Sequence, residues 1–212
     1  MLSEITGDIT GLWDTLSIER SHVLGYSRGG EIIWNLALDA PSRVRSMTHV
    51  ETAPNASTAG RETMMADNME FMMVVVGAMQ LPDPKEKAVK LLELCAGTGA
   101  VSEEDRDVAR GVVDKDNARG VVVDPAAFAR QDMASAAIRG KYEHRLEEIN
   151  TPTLVIHGEE DRMISIALGG ELTVKAVPDA RLVRVPEMGH ALTLRPYRSV
   201  WRDELISFLK AH

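Results

Sequence analysis

Residues 25–30 read Gly25-Tyr26-Ser27-Arg28-Gly29-Gly30. They join a short strand-like run, Ser21–Gly25, to a helix-period segment, Glu31–Ala40, whose Ile32, Ile33, Leu36 and Ala37 share one face before Pro41 stops it. A serine on a G-x-S-x-G turn between a strand and a helix is held in a strained backbone conformation. Its glycines are required because side chains there would collide with the neighbouring strand and helix backbone. The turn lifts the hydroxyl clear of the sheet at a helix N-terminus, where the dipole and first-turn N–H groups favour a developing oxyanion. Any fold offered for this chain must therefore place a strand before Ser27 and a helix after it.

The remaining chain meets that demand in three stretches. Ile9, Leu12, Trp13 and Leu16 recur at helical spacing ahead of the turn, and Val44–Val50 follows as a second strand. Near the C-terminus, Thr153–Gly158 and Arg181–Val185 are predicted strands, Ile166–Val177 lies between them as a helix, and Val200–Lys210 closes the chain as an amphipathic helix. Strands alternating with helices predict an α/β fold, a parallel sheet with flanking helices and right-handed crossovers. The middle carries no strand pattern. It contains Met64, Met65, Met69, Met72, Met73 and Met79, then helix-prone segments at Ala88–Leu94 and Glu103–Val113. The expected organisation is a core of residues 1–53 and 146–212 with a helical cap over 54–145.

A serine hydroxyl is a poor nucleophile near neutral pH and needs a base, which in turn needs an orienting acid. With this kind of elbow the expected chain order is serine, then aspartate or glutamate, then histidine. Asp161 follows the Thr153–Gly158 strand, and His190 follows Arg181–Val185 in Pro186-Glu187-Met188-Gly189-His190. Both fall just beyond strand C-termini, where parallel α/β sheets carry their sites. His157 reads as a core or rim residue, His22, His49 and His144 as structural, and His212 as a chain end. No pair has metal-ligand spacing such as H-E-x-x-H, and Gly97-Thr98-Gly99 is too short to read as a phosphate loop, so neither metal nor cofactor is expected.

Ser21–Gly30, Pro152–Asp161 and Pro178–His190 together resemble the α/β-hydrolase fold family, in its serine esterase-like branch. The resemblance implies Ser27 as nucleophile, His190 as general base and then acid, and Asp161 as orienting carboxylate. It further implies the Arg28 backbone N–H as an oxyanion donor, and the middle segment as the family's variable cap. Serine at the elbow argues against the dehalogenase and epoxide-hydrolase branches, which place aspartate there. Glu51, after the Val44–Val50 strand, is the alternative acid, because some branches carry it at that position. Family members have further strands and an H-G type loop before the nucleophile strand. This sequence matches from the preceding helix onward, so an N-terminally truncated core is expected, with one oxyanion donor unassigned and one strand edge exposed. Such an edge predicts a homodimer across it.

Composition narrows the function classes. The net charge of −8 argues against a phosphate-tracking surface and hence against nucleic acid as a partner. The longest uncharged apolar stretch, Phe71–Pro82, is well short of the roughly twenty residues a membrane helix needs, and no secretory leader is read at the start. The single Cys95 cannot form an internal disulfide, fits a reducing cytoplasm, and reads as inert buried packing. The methionines read mainly as helix packing, with a share in an adaptable apolar pocket. Two functions follow. One is a serine hydrolase of small to medium apolar carboxylic esters, with a texture near His190 and in the cap that resembles polyketide-type methylesterases. The other is a non-catalytic remnant of the same fold acting as a binding or assembly module.

Overall fold

The computed structural model describes residues 2–54, 68–99, 101–121 and 143–212, together with Ala126, Arg130 and Met133. Four parallel strands form one sheet in sequence order: β1 (Ser21–Tyr26), β2 (Val44–Val50), β3 (Thr153–Gly158) and β4 (Arg181–Val185). Helix α1 (Leu2–Thr15) precedes β1, and α2 (Arg28–Asp39) makes the crossover to β2. Between β2 and β3 lie α3 (Met69–Met79), α4 (Pro84–Cys95) and α5 (Glu103–Ala118). Helix α6 (Gly170–Ala176) links β3 to β4, and α7 (Arg195–Ala211) ends the chain.

The strand compositions follow from their positions. β3 is buried at all six residues and β2 at all but Arg45, as interior parallel strands are; β3 carries an apolar centre, Leu154-Val155-Ile156, whereas β2 also buries Ser46, Thr48 and His49. β1 and β4 are the edge strands, and β1 leaves Leu24 and Tyr26 exposed. One face of the sheet is covered by α1 and α2, with Trp13, Ile33, Trp34 and Leu36 packing on Val44 and Met47. The other is covered by α7 and the end of α4, with Tyr197, Phe208 and Ala96 against Val50, Leu154, Ile156 and Val185. Each large apolar side chain so buried stabilises the fold by about 1.5–3 kcal/mol.

The boundaries of β2, β3 and β4 coincide with the expected ones, whereas the helices differ in instructive ways. The last helix begins at Arg195 rather than Val200, because Pro196 occupies the first turn, where its missing N–H is not needed. α6 is shorter than expected. Ser165 accepts from the N–H groups of both Leu168 and Gly169, turning the chain before the helix starts. In the middle segment α4 is capped by Asp83 and α5 by a reciprocal Ser102–Asp105 box. Met64 and Met65 lie outside the described residues. On α3 the buried face is Phe71, Val75 and Ala78, while Met69 and Met73 are 61% and 70% exposed. The packing reading of those two methionines is therefore corrected: apart from Glu70, α3 is apolar on every side, and Phe71, Val75 and Ala78 take the inner positions. Among the described residues no helix is long and apolar enough to cross a membrane.

Candidate active site

Ser27 stands between β1 and α2 with φ 51° and ψ −121°, a left-handed backbone that a serine adopts only under constraint. The constraint comes from both sides. Its N–H donates to Val50 O on β2 at 2.9 Å, and its carbonyl accepts from Thr52 Oγ1 at 2.8 Å and from Gly30 N at 2.9 Å. A Cβ on Gly25 would sit 2.5 Å from Gly29 O, and one on Gly30 would run into the Thr52 side chain. A Cβ on Gly29 would meet nothing within 4 Å. The steric requirement read for the motif thus falls on Gly25 and on Gly30, one place beyond the motif's last glycine. Arg28 opens α2, so its N–H belongs to the first turn, whose donors a helical ladder does not use.

Asp161 and His190 meet at the same end of the sheet. His190 Nδ1 lies 2.8 Å from Asp161 Oδ2, and the carboxylate is buried. Asp161 Oδ1 accepts from the N–H groups of Met163 and Ile164, both at 2.8 Å, which fixes the carboxylate plane. Burial alone would raise its pKa. Hydrogen bonds to His157 and His190, with their charges, outweigh burial and hold the carboxyl below its ordinary range. His157 is fully buried, with Nε2 2.8 Å from Ile164 O and 3.5 Å from Asp161 Oδ2, so it braces the acid from behind.

Glu51 joins the same cluster. Its Oε2 is 4.0 Å from His190 Nδ1, a longer approach than that of Asp161, and its Oε1 accepts from Ala191 N at 3.2 Å. Burial, and then the charge of Asp161, push the Glu51 carboxyl up to about 9. Between the two candidate acids, Asp161 is the one hydrogen-bonded to the imidazole.

Three contacts at the site carry no signal in the sequence. Tyr26, the variable residue before the serine, donates its hydroxyl to His190 O at 2.9 Å and packs its ring 5.2 Å from the imidazole. Ala96 O accepts from Gly189 N, and Gly97 bridges Met188, so the turn after α4 is stitched to the His190 loop. Glu160 accepts from Thr98 N at 2.6 Å and Thr98 Oγ1 at 2.9 Å, tying that turn to the Asp161 loop as well. Cys95 closes the same helix. It is half-buried and packed against the core, and burial followed by the charges of Asp161 and Glu51 pushes its thiol up to about 11, away from the reactive thiolate. Among the described residues no hydrogen bond joins Ser27 Oγ to His190, whose Nδ1 is bonded to Asp161.

Known proteins share this architecture. Residues 5–74 match the family model of the alpha/beta hydrolase fold. The chain is 27% identical over 188 residues to a 2-hydroxy-6-oxononadienedioate/2-hydroxy-6-oxononatrienedioate hydrolase of Paraburkholderia phymatum, covering 86% of this chain and 60% of that protein. It is 25% identical over 210 residues to the rhodomycin D methylesterase of Streptomyces peucetius, covering 90% of this chain and 67% of that one. The chain spans less than two thirds of the first relative's length. Among solved structures, an esterase from Exiguobacterium antarcticum superposes with a TM-score of 0.70 at 18% identity, over 99% of this chain and 74% of the other. A hydrolase from Pseudomonas aeruginosa gives 0.66 at 26% identity, over 99% and 72%.

Proposed function

We propose, for a chain that belongs to the alpha/beta hydrolase fold family, that it is a serine hydrolase of small to medium apolar carboxylic esters. The observation that carries this reading is the buried 2.8 Å contact between Asp161 and His190 Nδ1, at the sheet end where the strained Ser27 also stands. With Nδ1 committed to Asp161, Nε2 is left to accept the Ser27 proton. Ser27 Oγ adds to the ester carbonyl as that proton moves to His190. The oxyanion faces the first turn of α2, with Arg28 N as one donor. Collapse breaks the C–O bond, and the leaving alcohol takes the proton from His190. Water then reverses the steps, releasing the acid and restoring the serine. Asp161 stays charged throughout and holds the imidazole in one tautomer.

The methylesterase relative supports an ester as substrate. The sequence reading adds a reducing cytoplasm as the setting, no cofactor or nucleic acid as partner, and association across the β1 edge. Hydrolysis of p-nitrophenyl esters of increasing acyl length tests the activity. The expected result is saturable turnover lost by about 10⁴-fold or more in Ser27→Ala. Equal turnover by wild type and variant, or none from a folded wild type, contradicts it. The dimer is tested separately by sedimentation, and a monomer at every concentration refutes it.

A further inference from the structure

Glu51 occupies a position that a structural role alone does not account for. It is a glutamate with φ 50°, just past the end of β2, and its N–H still donates to Ile156 O at 3.0 Å, so the neighbouring strand holds the turn in place. The turn sends a fully buried carboxyl toward the His190 loop, not toward solvent. One oxygen is used by Ala191 N; the other makes no hydrogen bond among the described residues, although the Tyr26 hydroxyl and the Leu192 N–H lie close enough to favour the charged carboxylate. That second oxygen is the one 4.0 Å from His190 Nδ1, the same nitrogen that Asp161 holds at 2.8 Å.

We propose that Glu51 is a second acid of the His190 site, a positioning residue that takes over the orientation of the imidazole when Asp161 is neutralised. The proposal rests on the serine-hydrolase reading above. Two carboxylates cannot both be charged beside one imidazole without mutual repulsion. Asp161 has the better donors, from Met163, Ile164 and His190, and keeps the negative charge. Glu51 keeps a proton, and its neutral carboxyl still anchors Ala191, the residue after the histidine. The titratable groups around it are Asp161 and His190 on the two loops, Tyr26 on β1 and Cys95 at the end of α4. With Asp161 replaced by asparagine, the repulsion is gone and Glu51 ionises more readily. It then sits one small side-chain adjustment from accepting the Nδ1 proton.

The test uses the rate of fluorophosphonate labelling of Ser27 in wild type, Asp161→Asn, and Asp161→Asn/Glu51→Gln, between about pH 6 and pH 10. Asp161→Asn is expected to label slowly, with a rate that climbs with pH, and to exceed the double variant by about tenfold or more at the alkaline end. Equal rates in the single and double variants at every pH overturn the proposal. A second measurement needs no reaction: the ¹³C shift of the Glu51 carboxyl as a function of pH. In wild type it is expected to stay protonated at neutral pH and to titrate near 9, moving lower in Asp161→Asn. A Glu51 already charged at neutral pH, or one whose titration ignores the loss of Asp161, overturns the proposal. If wild type fails to label, the hydrolase reading fails, while the carboxyl titration still reports on the acid pair by itself.

Discussion

The two halves of the candidate site are held by different means. Ser27 is placed by its own backbone: a six-residue strand, a positive-φ turn, and a helix that begins at the next residue, braced by β2 and Thr52. Asp161 is fixed locally by Met163 and Ile164, but its loop and the His190 loop are also tied to anchors far away in the chain. Tyr26 reaches His190 across 164 residues, Tyr197 reaches Ala96 across 101, and Thr98 reaches Glu160 across 62. Local steric rules place Ser27, and long-range hydrogen bonds hold the His190 loop. The first half should fail abruptly when its spacing is violated, the second by degrees.

The sharpest break is expected at the elbow. Gly25→Ala places a methyl against the Gly29 carbonyl and should destabilise the protein by about 2–3 kcal/mol or more, whereas Gly29→Ala, facing open space, should stay within about 0.5 kcal/mol. Urea titration of both variants checks this, and equal losses would mean that the turn is not set by close backbone approach. On the loop side, Tyr197→Phe removes the hydroxyl that donates to Ala96 O and Glu187 O, at 3.0 and 2.8 Å. A cost of about 1–3 kcal/mol is expected, with turnover falling more than stability because the His190 loop loosens. Thermal melts and initial rates on one preparation separate the two.

Acid and alkali should each destabilise the region of β2, through different groups. His49 is buried against Trp34, ring centroids 3.5 Å apart, and burial lowers its pKa to about 3. The unfolded chain takes up that proton first, so stability is lost as pH falls from about 6.5 toward 3. Glu51 has the opposite shift, from 4.5 to about 9, so stability falls as pH rises through that window, by at most about 1.4 kcal/mol per unit. The Tm of Glu51→Gln relative to wild type should therefore increase from pH 5 to 9, and that of His49→Phe should increase from pH 6 to 4. Differences independent of pH would contradict both assignments. The smallest effect is expected from Thr98→Val, which removes one exposed hydrogen bond to Glu160 and should cost less than about 1 kcal/mol, with a few-fold loss in turnover.

The same contrast governs what could be read in advance. The elbow was legible because glycine, serine and the switch from strand to helix period all lie within a dozen residues. β3 was legible to the residue from its apolar centre after Pro152, and β2 and β4 from short valine-containing runs flanked by helix and turn residues. Asp161 and His190 were legible by location, each just past such a strand. Tyr26, Thr98 and Tyr197 were not, since their spacing and neighbours carry no periodic or motif signal and their partners are set by tertiary packing. Glu51 was legible as a candidate acid, but its proton and its hold on Ala191 depend on burial that only the assembled sheet creates.

The central claim is that His190 activates Ser27. Intact-mass measurement after exposure to a fluorophosphonate tests it most directly, because the phosphorus–fluorine bond yields only to an activated serine. One phosphonyl adduct per chain is expected, with fluoride released, and none in Ser27→Ala. A folded wild-type chain that stays unmodified, or an adduct that persists in the alanine variant, would contradict it.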